Sequence, residues 1–135
     1  MRIGFTGTQV GMSGAQKDAL WILIEEQQPT EFHHGDCIGA DDQADEIARQ
    51  LGVRLFIHPP DIPSKRAYCS ARRDKDHLDK NFTPYPYLIR NKNIVASVDL
   101  LVAAPRTMEE ELRSGTWATV RYARARGIPI RMLER

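Results

Sequence analysis

Residues 31–58 read EFHHGDCIGADDQADEIARQLGVRLFIH, and this stretch decides the fold class. Glu31 to His34 reads as a short buried strand, and Gly35-Asp36-Cys37-Ile38-Gly39 as a turn. Ala40, Ala44, Ile47, Ala48 and Leu51 then recur at helical spacing, and Gly52 stands where glycine ends helices. Val53 to His58 is the next strand. A strand, a helix and a strand in this order make a βαβ unit, whose two strands must run parallel.

The pattern extends in both directions. Upstream, Arg2 to Thr6 reads as a strand, and the turn-rich Gly7 to Gly14 leads into a helix over Ala15–Gln27, with Ser13 as its N-cap. Pro29 and Thr30 break the chain before the βαβ unit. Downstream, Pro59 to Pro86 carries Pro-Pro, Ile-Pro and Thr-Pro-Tyr-Pro punctuation and reads as one long loop, the kind that serves as a lid or binding segment. Tyr87–Ser97 reads as a helix and Leu100–Ala104 as a buried strand. A helix from Gly115 to Arg126 stopped by Gly127 follows, and Ile128–Leu133 is a last strand. The expected fold is α/β: a single domain with a doubly wound, mostly parallel five-stranded sheet and helices on both faces. Its ligand site should lie beyond the carboxyl ends of the strands, at the topological switch point.

Composition sets the outer limits. The 135 residues, 41% hydrophobic and 27% charged, suit one ordinary globular domain. Two cysteines, Cys37 and Cys69, are too few for a disulfide framework and suit a reducing cytoplasm. No secretory h-region follows Met1, and the longest apolar run, Ala19 to Ile24, falls far short of the ~20 residues that span a bilayer. A cytoplasmic protein with no membrane partner is expected. The net charge of +1 hides an uneven spread: residues 1–63 have four Lys/Arg against ten Asp/Glu (−6), and 64–92 have eight against three (+5). Residues 93–112 have one against four (−3), and 113–135 have six against one (+5). The basic stretches either meet an anion or lie on solvated faces.

Three strand-to-helix turns are rich in glycine and hydroxyl residues: Gly7-Thr8, Gly35 to Asp41, and Ser114-Gly115-Thr116. Each leaves backbone N–H groups at a helix start, and together they predict a phosphate cradle. A dinucleotide fingerprint is not what they spell, because Gly7 to Gly14 reads GTQVGMSG and the second strand ends in His33-His34 rather than an acid. Adjacent strand residues face opposite ways, so His33 and His34 are not expected to share a metal. Cys37 beside a helix start is either an activated thiol or a small turn residue. Asp41 either compensates the helix dipole or meets a ligand hydroxyl. Trp117 either stacks on a base or fills a core or dimer interface, and Tyr85, Tyr87 and Arg90 face the ligand or pack the long loop.

These residues, in this order, resemble a known family. The Gly-Thr turn, His34-Gly35-Asp36-Cys37-Ile38-Gly39-Ala40-Asp41 with Ala44, Arg90-Asn91-Lys92-Asn93-Ile94 leading to Asp99, and Ser114-Gly115-Thr116 before Gly127-Ile128-Pro129 are similar to the SLOG superfamily. That group includes the small YspA/YpsA-related proteins, the LOG-type nucleotide phosphoribohydrolases and the core of DprA. The resemblance covers nearly the whole chain apart from Pro59 to Pro84, and it implies a modified Rossmann fold that binds nucleotides or nucleotide-derived ligands. LOG hydrolases carry Pro-Gly-Gly-x-Gly-Thr-x-x-Glu, whose glutamate works with an arginine on the N-glycosidic bond. Here Thr119 stands in the glutamate position, and Arg90 is followed by Asn91 rather than lysine.

The expectation is therefore a nucleotide-ligand-binding domain, used as a sensor, with Gly7, Thr8, Gln9, Gly35, Asp36, Gly39, Ala40, Asp41, Arg90, Asn91, Ser114, Gly115 and Thr116 at the ligand. No cofactor, metal or catalytic residue is assigned. The competing enzyme reading is an N-glycosidic hydrolase or transferase using Asp36, Asp41 or Glu110. DprA-like single-stranded DNA binding is the weaker alternative, since nothing resembles an aromatic-basic platform. A homodimer formed through apolar helices such as Ala19–Ile24 is the expected assembly.

Overall fold

The computed structural model describes residues 1–73, 77 and 79–135. Its sheet has six strands, all parallel, in the order β4-β3-β2-β1-β5-β6. The strands are β1 (Arg2–Gly7), β2 (Glu31–His34), β3 (Leu55–Ile57), β4 (Lys80–Asn81), β5 (Leu100–Ala104) and β6 (Ile130–Met132). The helices are α1 (Gly14–Gln27), α2 (Ala40–Gln50), the single turn α3 (Cys69–Arg72), α4 (Tyr87–Ala96) and α5 (Gly115–Ala125). The sixth strand corrects the expected count. β4 is a two-residue, exposed strand that pairs Lys80 with Phe56 and Asn81 with Ile57, too short to leave an alternation in the sequence.

Alternation in β5 explains how both faces are covered. Val102 and Ala104 face a core with Ile3, Phe5, Phe32, Leu55 and Ile57 under α1 and α2, while Leu101 and Ala103 face Val95, Trp117, Val120 and Ala123 of α4 and α5. Gly4 lets α4 approach closely, since a Cβ there would lie 3.0 Å from Val98 and 3.1 Å from Ile94. Ser13 caps α1 through a full capping box with Gln16. Of the apolar run in α1, Leu20, Leu23 and Ile24 are consumed by the core and Ile22 alone is fully exposed, so the run does not supply the surplus apolar surface expected of it.

The segment after Pro59 is structured in part, not a bare loop. It contains a 3₁₀ turn (Pro63–Lys65), α3 and β4. Asp36 pins it by accepting from Arg66 and from the Cys69 N–H, while Asp79 pairs with Arg49 of α2. The charge imbalance along the chain closes in the same way. Acids of the first stretch meet bases of the second in Asp36–Arg66, Asp42–Arg72 and Asp42–Arg73, and Glu110 of the third meets Arg121 and Arg124 of the fourth.

Candidate functional site

The winding of the sheet reverses between β1 and β5, the strands that leave the centre in opposite directions. A cavity of about 750 Å³ opens there, beyond the strands' carboxyl ends, where this architecture leaves space for a ligand. The β1–α1 turn contributes Thr6 to Val10, α4 contributes Tyr87, Arg90 and Asn91, and the β5–α5 connection contributes Arg106 and Glu111 to Thr116. Cys37 and Asp41 close the inner end.

Nine of the expected residues line this cavity: Gly7, Thr8, Gln9, Asp41, Arg90, Asn91, Ser114, Gly115 and Thr116. Gly35, Asp36, Gly39 and Ala40 do not, and their geometry says why. The Ala40 N–H donates to the Thr8 carbonyl at 3.0 Å, so the first turn itself occupies the start of α2. Gly39, at φ +90°, lies so close to the first turn that a Cβ would sit 2.3 Å from the Gln9 carbonyl oxygen. Asp36 is spent on Arg66 and Cys69, and the Gly35 carbonyl accepts from Arg90. The second glycine turn is thus filled by the protein's own backbone rather than opening as a second cradle.

At α5 the situation is the reverse. Ser114 is the N-cap and accepts the Trp117 N–H through Oγ, which leaves the amides of Gly115 and Thr116 without an acceptor among the described residues. A Cβ on Gly115 would meet nothing within 4 Å. Arg106, paired with Glu111, and Arg113 lie on the same rim, so the open end is an anion-favouring surface. Sequence reading missed Arg106, Glu111, Leu112 and Arg113. They sit in an irregular connection whose approach to β1 depends on the strand order, which no local pattern carries.

The inner end has different chemistry. Asp41 is buried, its Oδ2 accepts the Cys37 N–H at 3.2 Å, and its Oδ1 has no partner. Burial pushes this carboxyl above the usual range, against the pull of His34 and Arg90. Among the described residues the Tyr87 hydroxyl, beside Gln9 and Cys37, likewise has no partner within hydrogen-bond distance, and its ring lies under Arg90, with the guanidinium carbon 5.2 Å from the ring centre. Burial and the Asp41 charge push the Cys37 thiol up to about 11, with Arg90 opposing, so its surroundings disfavour the thiolate and suit the small turn residue. Arg90 binds the carbonyls of Gly35 and His58 and the Asn91 side chain, so it is first a clamp between α4 and the two neighbouring turns.

The remaining candidates fall outside. Trp117 is a core residue that donates to the Thr107 carbonyl. Thr119 is buried with its hydroxyl on the Gly115 carbonyl. Among the proposed carboxylates only Asp41 reaches the cavity, since Glu110 pairs with Arg121 and Arg124 on the surface. His33 and His34 do face opposite ways, to His58 and to Asp45. His34, Asp45 and Cys69 bring three potential metal-ligand atoms within 4.8 Å of one another. Asp45 is already committed to His34 and Arg49, with Arg73 beside it, which makes the group an ion-pair network. No helix among the described residues is long and apolar enough to cross a membrane.

No protein-family model matches the chain, and no curated protein does. Solved structures do. The molybdenum cofactor binding protein from Rippkaea orientalis aligns over 96% of this chain and 74% of its own, at 18% identity and a TM-score of 0.70. The molybdenum cofactor carrier protein from Chlamydomonas reinhardtii gives 96% and 74% coverage, 19% identity and 0.68. DprA from Streptococcus pneumoniae gives 97% coverage of this chain, 19% identity and 0.72, and this chain spans 49% of its length.

Proposed function

We propose that this chain, which has the SLOG-type fold, binds a nucleotide or nucleotide-derived ligand as a sensing or carrying domain. The observation that carries the reading is the cavity at the β1–β5 switch point, with free amides and arginines at one end and unpartnered polar groups at the other. A phosphate fits the Gly115–Thr116 end, where the helix dipole and Arg113 favour negative charge. A neutral donor such as a sugar hydroxyl or a base amino group fits the Asp41–Tyr87 end, because unpaired buried polar atoms gain most from a partner. The protein acts here as a binder, with no metal or cofactor of its own assigned.

Calorimetry of the purified protein with AMP, GMP, CMP and ADP-ribose tests the reading, and Gly115→Val is the decisive variant. Gly115 lines the cavity, and a Cβ on it meets nothing within 4 Å among the described residues, so added bulk falls on the proposed phosphate end without a clash at the Cβ. Unchanged affinity would move the site elsewhere. The molybdenum cofactor and single-stranded DNA belong in the same assay, because proteins of this fold are described by those ligands. DNA is the weaker of the two, since many of the basic side chains are paired internally. The same reading takes a twofold homodimer as the working unit, with the exposed Leu88 and Ile89 of α4 as its apolar surface. A monomer mass in light scattering removes that part.

A further inference from the structure

A second, smaller cavity of about 310 Å³ lies on the other side of Arg90, lined by His58, Phe82, Thr83, Tyr85, Asn93 and Ser97 among others. His58 is 4% exposed and belongs to a chain of hydrogen bonds that begins at the surface. Glu31 Oε1 lies 2.8 Å from His33 Nε2, and His33 Nδ1 lies 2.9 Å from His58 Nε2. The carboxylate can only accept, so His33 carries its proton on Nε2 and presents Nδ1 as an acceptor. His58 must then donate from Nε2. Its Nδ1 is left as a bare lone pair, and it has no hydrogen-bond partner among the described residues.

The rings are held as firmly as the tautomers. Phe56 stacks on His33 and Phe82 on His58, with centres 4.6 and 4.3 Å apart, and the two imidazoles meet edge to edge through their hydrogen bond, 5.1 Å between centres. Burial, together with the charges of His33, His34 and Arg90, pushes His58 down to about 3, so the acceptor persists at neutral pH. Structural support of β2 against β3 needs the first two hydrogen bonds of this chain; the last nitrogen of an imidazole that lines a cavity is left over from that task.

We propose that this cavity is a second binding site, for a neutral planar heterocycle of nucleobase size that donates an N–H to Nδ1 of His58. The volume is at the lower end for small-molecule sites and enough for a ring system. Phe82 and Tyr85 supply aromatic walls. The Asn93 amide and Thr83 hydroxyl supply the mixed donors and acceptors that a heterocycle's edge requires. Among the described residues no carboxylate lines the cavity, which disfavours a cation. Arg90 has already given its Nη1 to two carbonyls and its Nε to Asn91, which disfavours a bidentate anion. The site does not depend on the nucleotide reading of the larger cavity.

The test uses the full chain, labelled with ¹⁵N and followed by long-range histidine correlations. His58 should show a protonated Nε2 and a bare Nδ1, and uracil or adenine should shift that Nδ1 resonance saturably. 1,3-Dimethyluracil, the same ring without N–H donors, should bind at least about tenfold more weakly than uracil. His58→Phe keeps the stack, removes the acceptor and should weaken uracil by about tenfold. Ala96→Phe, at the exposed rim, should block uracil while leaving the Nε2–H signature intact, which separates blocked binding from misfolding. A proton found on Nδ1, equal binding of uracil and its dimethyl derivative, persistence of binding in Ala96→Phe, or no saturable shift with either base would each overturn the proposal.

Discussion

The start of α2 and the start of α5 look alike in sequence, each a glycine turn after a buried strand, yet they have opposite fates. At α2 the protein fills its own turn: Thr8 accepts the Ala40 N–H, and Gly39 exists because the Gln9 backbone passes through the space a side chain would take. At α5 a Cβ on Gly115 would meet nothing within 4 Å among the described residues, and Gly115 and Thr116, whose amides have no acceptor there, line the cavity. A glycine at a helix start therefore leaves room at the backbone, and only the tertiary structure tells whether the protein's own chain fills it.

The largest effect should come from breaking the closed turn. Gly39→Val forces a β-branched residue to φ +90° and drives its Cβ to within 2.3 Å of the Gln9 carbonyl. A cost of more than about 3 kcal/mol follows, as for strained backbone combined with overpacking, and thermal unfolding should show a severe loss of stability. Arg90→Ala comes next. It strips the donors from the carbonyls of Gly35 and His58, and buried groups left unpaired cost about 1–3 kcal/mol each. Denaturant melts that match the parent chain would show that the clamp is unimportant.

The histidine pair on the closed side predicts a pH dependence. The folded-state value of His58 is depressed to about 3, so between that value and about 6.5 the unfolded chain binds a proton that the folded chain refuses. Stability should therefore be full above about pH 6.5 and fall as pH drops, by up to about 1.4 kcal/mol per unit from this group. His33, lowered first by burial, pushes the same way. Denaturant melts from pH 7 to pH 5 measure the slope, and His58→Phe should reduce it; an unchanged slope assigns the pH dependence to other groups.

On the open side, Gly115→Val should separate stability from binding. A Cβ at this exposed helical position meets nothing within 4 Å among the described residues, so the melting curve of the valine variant should lie within about 0.5 kcal/mol of the parent's, as for surface changes in general. Nucleotide affinity should fall at least about tenfold, or about 1.4 kcal/mol. Equal losses of stability and affinity would erase the difference between the two turns.

What the sequence made legible follows from where the information lies. Glu31–His34 and Leu100–Ala104 are read to the residue because buried parallel strands have a local signature, and α2 because its apolar stripe and the closing Gly52 are both local. β4 was hidden because two exposed residues become a strand only by lying beside Phe56 and Ile57. The cavity's glycine, hydroxyl and Arg90–Asn91 components were visible as residue types. Strand order alone brings Arg106 and Arg113 to the β1 turn, and backbone packing alone withdraws Gly35, Asp36, Gly39 and Ala40. The homodimer inference failed in its premise at α1 for a related reason: an apolar run does not reveal how much of itself the sheet will bury.

The smallest effect expected is on base release from AMP, GMP and CMP, which should stay at the level of a blank. Breaking an N-glycosidic bond builds positive charge on the sugar and negative charge on the departing base. A carboxylate placed on the sugar and an acid placed on the base therefore each lower the barrier, typically by 10²–10⁴-fold in rate for the acid or base. Thr119 supplies neither: it lies buried on α5 with its hydroxyl bound to the Gly115 carbonyl, and a hydroxyl carries no charge in any case. Asp36 and Glu110 are held in ion pairs away from the cavity. Asp41 alone of the three lines it, with its carboxyl pushed up by burial. Glu111, the other carboxylate on the wall, is paired with Arg106, so Asp41 by itself supplies at most half of what the reaction needs, while contacts to the phosphate act equally on substrate and transition state and accelerate nothing. Affinity without turnover is the expected outcome in chromatographic assays of base release. Robust release that disappears in Asp41→Asn while nucleotide affinity persists would make Asp41 the acid, and it would point to Glu111, the other carboxylate on the cavity wall, as the partner that the comparison of the two turns leaves out.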